Sequence, residues 1–402
     1  MKKNKRYGSQ YLVTAGISLL LLTAVFQLSA RTLPGFGTWY AHHIYPWIVG
    51  SVGRVTGLFP FPVVELGLYG LILLLVLDVG RLIAVVILVF WRRAAAETLP
   101  SDPGAGGRPG AAKIPAAIGR RWLLIVSALL FLYTVNCGIN YYASSFSSYA
   151  GLEDGTYTVE ELEALCSDLV ELVNESAKTG RQSYREHRSA WRAEAVTAMQ
   201  AAGEQFSCLA GFYPKPKEVL VSQILSVQQL CGVYSPFTVE ANFNGDMPDY
   251  NVPHTLCHEL SHLKGFMRED EANFIGYLAC ISSENDTFRY SGYLTGWVYA
   301  GNALARVDMR RYIELTNQLC EEARQDLDEN SDFWNRYESK VSEAATRMND
   351  TYLKMNSQAD GVKSYGRMVD LMLSYRRIQQ RFLNENLINL NETSGKRGKN
   401  RL

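Results

Sequence analysis

The chain reads as a mainly helical α+β protein: three N-terminal transmembrane helices followed by a larger water-soluble domain with a small β-sheet. Three observations carry this reading. Nearly all the long apolar runs lie before residue 143, and most acidic residues lie after it, as in a membrane anchor joined to a soluble domain. Helical spacing of apolar residues dominates the second part. Within it, roughly 218–244 is instead rich in Val, Thr, Phe and Tyr with Pro and Gly punctuation, the composition of short strands. A chain of 402 residues also exceeds one ordinary core. Its formal net charge is zero, so no global field draws it to nucleic acid.

The first apolar run, about 11–30, follows Lys2, Lys3, Lys5 and Arg6 and has the length of one bilayer crossing. Leu28-Ser29-Ala30 resembles a signal cleavage site, but the run is long for a signal core and two more spans follow, so it reads as retained. The second run, about 62–91, contains Asp78 and Arg81, which can pair three apart on one helix. Splitting it there leaves pieces too short to span, so one tilted helix is expected. Residues 94–120 are rich in Ala, Gly and Pro and read as a flexible linker, and the third span covers about 122–142. Basic residues cluster before the first span and between the second and third (Arg92, Arg93, Arg108, Lys113, Arg120, Arg121). Both segments lie on one side of a three-span protein. The positive-inside rule makes that side cytoplasmic and turns the domain 143–392 outward. Residues 393–402 read as a basic disordered tail.

In the soluble part, Thr158-Val159-Glu160-Glu161 has the form of a capping box opening an amphipathic helix that runs to about Ala177. Further helices are expected over Ser183–Gln205 and between Thr287 and Asn384. In the strand-like region, Pro236 to Phe243 is a candidate edge strand able to pair with an extended backbone. None of the seven cysteines sits in a CxxC pair, which removes a cysteine-based zinc site. Six of them lie in the soluble part, where disulfides are an option if it faces outward. Cys257 and Cys280 read equally well as small buried side chains.

One motif carries chemistry: His258-Glu259-Leu260-Ser261-His262. Histidines four apart on a helix share a face, where two imidazoles can bind one ion. Glu259 stands one position around, close enough to take a proton from water at that ion. Asn251-Val252-Pro253-His254 leads into the motif with helical spacing, and Gly265 follows where the chain can turn sharply. Arg268-Glu269-Asp270-Glu271-Ala272-Asn273-Phe274 then opens a second helix. A hydrolytic site needs a third protein ligand and an open position for water. Glu269 and Glu271 are the candidates, with Asn273 one turn beyond Glu269 as a hydrogen-bonding support for a ligand. The helix dipole alone would also favour such acidic residues at a helix start; the neighbouring histidines are what make them ligands. For an oxyanion donor the sequence offers Tyr290, Tyr293 and Tyr365, though packing is the commoner role of a tyrosine, and His254 could border the site, though a surface or cap role is its commoner reading. Two histidines and a carboxylate suit zinc, and iron uses that set too.

The motif region resembles the glutamate-zincin superfamily, in which the third ligand stands three residues before a small residue followed by Asp or Asn. Glu269, Ala272 and Asn273 fit that pattern, which favours Glu269 over Glu271. The stretches Tyr234 to Asn244, His254 to Cys280 and Tyr352 to Leu371 are similar to a family of uncharacterised bacterial proteins that join three N-terminal spans to a zincin-like domain. That resemblance implies a gluzincin-type fold and a multi-pass location in the bacterial plasma membrane. It also implies a zinc metallopeptidase (Zn2+ cofactor, Glu259 as base) acting on a peptide or protein. The alternative is a non-catalytic sensor or binding domain that the same ion stabilises.

Overall fold

The computed structural model describes residues 2–98, 113–152, 155, 157–356 and 367–382. Three of its helical segments are long and apolar enough to cross a bilayer: Gln10–Thr32, Val63–Trp91 and Lys113–Tyr142. The first packs on the third at Gly16, where an added Cβ would stand 3.1 Å from Leu123 Cγ. Small residues permit such close backbone approach between apolar helices. Higher up, Gln27 Nε2 donates to Thr134 Oγ1 at 3.2 Å.

The second span belongs to one continuous helix, Val63–Thr98, with no break at Asp78. Asp78 pairs with Arg81 at 3.1 Å, but it also receives Arg121 and, at 2.9 Å, Trp122 Nε1 from the third span. It is therefore a tie between two spans and not only a local pair. The expected linker is shorter than its composition suggested. Ala94, Ala95 and Ala96 are strong helix formers and extend the second helix, and the third begins at Lys113 with Pro115 tolerated in its first turn. The remainder of that linker and the tail 393–402 lie outside the described residues.

Beyond the spans the chain is helical, as the spacing predicted. Helix Val159–Gly180 opens on a complete capping box: Thr158 N donates to Glu161 Oε2 at 3.0 Å and Glu161 N to Thr158 Oγ1 at 3.3 Å. Helix Tyr184–Gln205 follows. The helices Asn251–Lys264, Glu269–Ser282 and Asp286–Val307 pack on one another. Trp191, Phe274 and Trp297 are buried among these helices. All seven cysteines are free, with Cys257 and Cys280 buried.

The sheet has three strands, β1 (Lys217–Glu218), β2 (Gly232–Ser235) and β3 (Glu240–Phe243). Their order is β1-β3-β2, with β1 parallel and β2 antiparallel to β3. This corrects the edge-strand expectation: Glu240–Phe243 is the central strand, buried throughout, and the edge next to the motif helix is β2. Pro236 and Phe237 belong to the connecting turn.

Sheet and membrane part are joined by buried charge. Glu240 accepts from Val63 N (3.1 Å) and Val64 N (3.0 Å), and also pairs with Lys217. It thereby satisfies donors that any helix start leaves open. In return Glu65, in the first turn of the second span, accepts from Leu220 N (2.7 Å) and Val221 N (3.2 Å).

Candidate metal centre

The motif helix ends where expected. Gly265 takes the left-handed conformation, φ 110°, and its N–H bonds back to His262 O, a conformation glycine adopts without steric cost. Phe266 N returns to Ser261 O at 3.1 Å, and the chain re-enters a helix at Glu269. This turn brings the start of the second helix against the exposed edge of the two histidines.

His258, His262 and Glu269 come together there, with their ligand atoms all within 4.8 Å of one another. His258 Nε2 is 3.4 Å from Glu269 Oε2, and His262 Nε2 is 3.6 Å from Oε1. Ligands at zinc distances around a tetrahedral ion stand about 3.3 Å apart, close to these two histidine–carboxylate separations, and two imidazoles with a carboxylate are a donor set that such an ion accepts. His262 Nδ1 is 2.8 Å from Phe266 O; donating there, the ring keeps its Nε2 lone pair for the site. Burial would lower His258, but its hydrogen bond to Glu269 and the charge of that carboxylate outweigh it and raise its pKa. His258 Nδ1 and Asn273 Nδ2 are both buried without an aligned partner.

The charges are set by burial and proximity. Burial would raise Glu269, but the pull of His262 and the hydrogen bond to His258 outweigh it and lower its pKa to about 2. Burial lowers His262 to about 4. Glu259 is 3 % exposed, and burial raises its pKa to about 8 against the opposing effect of His258. Its Oε2 is buried without a hydrogen-bond partner. All four side chains line one cavity of about 670 Å³.

Glu271 does not join them. Its carboxylate accepts from Phe146 N and from Arg268 Nη1, each at 3.0 Å, so it fastens the segment after the third span to the second helix. His254 borders the cavity. Its Nε2 is 3.0 Å from Asn273 O, and burial lowers its pKa to about 3. Tyr290 donates to Asp326 Oδ2 at 2.5 Å and, like Tyr293, is absent from the cavity wall. Tyr365 lies outside the described residues.

Sequence reasoning missed another wall of the cavity. Tyr133, Cys137 and Tyr141 of the third span line it together with Tyr352. Tyr141 Oη donates to Tyr352 Oη at 3.2 Å, and Cys137 Sγ lies 3.4 Å from the same oxygen. Between them the span widens into a π-turn, Thr134–Gly138, closed by Ile139 N to Thr134 O at 3.0 Å. Such turns re-aim side chains within an otherwise regular helix. The only trace in the sequence is the four-residue spacing of two tyrosines and a cysteine at the end of an apolar run.

Comparison with known proteins gives the family. The chain belongs to the family described as "Protein of unknown function (DUF3810)", which matches residues 40–373. The matched region takes in the second and third spans, the sheet and the residues His258, Glu259, His262 and Glu269. No curated protein and no solved structure matches the chain.

Proposed function

We propose, with membership of that family as the premise, that the chain is a membrane-anchored, zinc-dependent metallopeptidase of the zincin type in a bacterial plasma membrane. One observation carries the reading: Glu259, buried with an unpartnered carboxylate oxygen, shares a cavity with the mutually adjacent His258, His262 and Glu269. Leaving a buried polar atom unpaired costs about 1–3 kcal/mol. A site that merely stabilised the fold would gain nothing from that cost, and this weighs against the non-catalytic reading.

In this proposal His258 Nε2, His262 Nε2 and a Glu269 oxygen hold the ion. Bound there, zinc would supply a positive charge that favours the carboxylate form of Glu259, and a Lewis acid that acidifies water and polarises a carbonyl. Glu259 Oε2 takes a proton from the water that attacks the peptide carbonyl carbon. It then delivers that proton to the leaving amine nitrogen, so the C–N bond breaks with water as the co-reactant. The edge strand β2, whose Gly232 lies against Glu259, offers main-chain groups to an extended substrate. The domain adjoins the C-terminal ends of the first and third spans and the N-terminal end of the second. Arg120 and Arg121 therefore lie toward the other face, which by the positive-inside rule puts the domain outside the cytoplasm.

The test uses the full chain in detergent, native and as His262→Ala and Glu259→Gln. Stoichiometric zinc is expected in the native protein and in Glu259→Gln, and its loss in His262→Ala. Hydrolysis of a mixed peptide pool should fall by about 100-fold or more in Glu259→Gln. A native protein that takes up no metal when zinc is supplied would overturn the proposal.

A further inference from the structure

The cavity is not walled by the soluble domain alone. Tyr133, Cys137 and Tyr141 line it from the C-terminal end of the third span, across the π-turn and the 3-10 turn that follows it. Hydrogen bonds fix its level. Thr134 receives Gln27, which belongs to the end of the first span. Val135 O receives Tyr40 Oη at 2.8 Å, and Asn136 Nδ2 donates to Pro236 O at 2.6 Å. The β2–β3 turn therefore packs against the C-terminal end of the third span.

Large apolar side chains are exposed around this joint, with Arg54 and His43 exposed beside them in the connection between the first and second spans. Val233 and Phe237 stand at the cavity itself, 41 % and 39 % exposed. Leu220 (57 %) belongs to the segment that Glu65 of the second span holds. Trp47 and Leu58, 80 % and 81 % exposed, lie in the connection between the first and second spans. Among the described residues no Lys, Arg or Asp lines the cavity. Exposed apolar surface continuous with membrane helices is satisfied by lipid, and Trp is enriched at the headgroup level.

We infer that the cavity opens at the bilayer surface and takes the apolar juxtamembrane segment of a membrane-anchored polypeptide. Cleavage of that segment rests on the metallopeptidase reading; its entry rests on the geometry above. A chain just leaving the bilayer passes the mouth at the level of Val233 and Phe237. There β2, at the sheet's edge, supplies the main-chain pairing that a lipid could not return.

The test is a photoreactive apolar peptide carrying an acyl anchor, joined through a short or a long Gly-Ser linker. It is presented to the full chain in nanodiscs, and adducts are mapped by mass spectrometry. The short-linker probe should label residues 229–237 or 133–141 as strongly as the long-linker probe, and at least about tenfold more than the unanchored peptide. Labelling of those residues only through the long linker, or equally by the unanchored peptide, would overturn the inference. The peptidase reading fails separately: with zinc supplied, a probe that labels the cavity yet stays as intact with native protein as with Glu259→Gln removes the cleavage and leaves the entry standing.

Discussion

Gly232 is where the geometry of the proposed base, Glu259, is most exposed to a small change. An added Cβ would meet the Glu259 carboxylate, 2.7 Å from its Cγ and 2.8 Å from its Cδ, so the side chain of Glu259 would have to move. None of the three proposed ligands is among the atoms nearest to that Cβ. Gly232→Ala is expected to retain zinc by mass spectrometry while hydrolysis falls by at least about tenfold, the cost of misplacing a proton acceptor; unchanged turnover would show that Glu259 has room to adjust. The two carboxylates of the second helix separate in the same way. Glu271→Ala strands Phe146 N–H and leaves Arg268 only its backbone acceptors Tyr141 O and Ala143 O, so a loss of about 1–3 kcal/mol in thermal or denaturant unfolding is expected with zinc content unchanged, whereas Glu269→Gln should lose the metal. His258, Glu259 and His262 were legible because a helix makes their relation purely local. Glu269 and Glu271 could not be told apart by spacing, since the turn at Gly265 decides which of them meets the histidines. Tyr290 was a poor candidate for the same reason: its partner, Asp326, is distant in sequence and invisible until the helices pack.

Helix boundaries carry the next layer of specificity. The second span begins without a cap of its own and borrows Glu240 from the central strand. That carboxylate also holds Lys217, whose ammonium reaches Thr56 O at 2.6 Å. No periodicity argument reaches such a clasp, and none distinguishes a four-residue central strand from an edge, which is why β3 was misread. The capping box at Thr158 was legible, being written in four consecutive residues, but its second use was not. Glu161 also accepts from Arg377 Nε at 2.6 Å and Nη2 at 2.7 Å, tying helix Val159–Gly180 to the helix over 367–382. The Arg377 hydrogen bond, with Thr158 N second, lowers Glu161 from 4.5 to about 2. Because the folded pKa lies below the unfolded one, this contribution to stability is present above about 4.5 and is lost as pH falls toward 2. Melting temperatures of native protein and Glu161→Gln should therefore differ at neutral pH and converge as the buffer is taken down through that interval. A constant gap would show that the pair does not depend on the carboxylate charge.

Composition divides the chain at residue 143, but the packed core does not respect that line. Tyr40, Tyr45, Ile139 and Tyr141, all on the N-terminal side, are buried in one continuous core with Leu263, Phe266 and Tyr234. Tyr45 Oη donates to Leu263 O at 3.1 Å and lies 2.9 Å from Tyr234 Oη, which fixes the C-terminal end of the motif helix from the membrane side. The domain boundary read from hydropathy reports which solvent each surface faces; it cannot report which buried side chains share an interior. Each large apolar side chain so buried contributes roughly 1.5–3 kcal/mol, and the net stability of a domain is only about 5–15 kcal/mol. A chain starting at residue 143 would lose several such side chains together with one wall of the metal cavity. It is expected to bind an apolar dye, to aggregate or melt over a broad range, and to hold zinc more weakly than the full chain in detergent. Sharp two-state melting of the shortened chain with unchanged zinc affinity would mean that the spans only tether the domain. The broad transition would mean that they are structural members of the site, as the shared core requires.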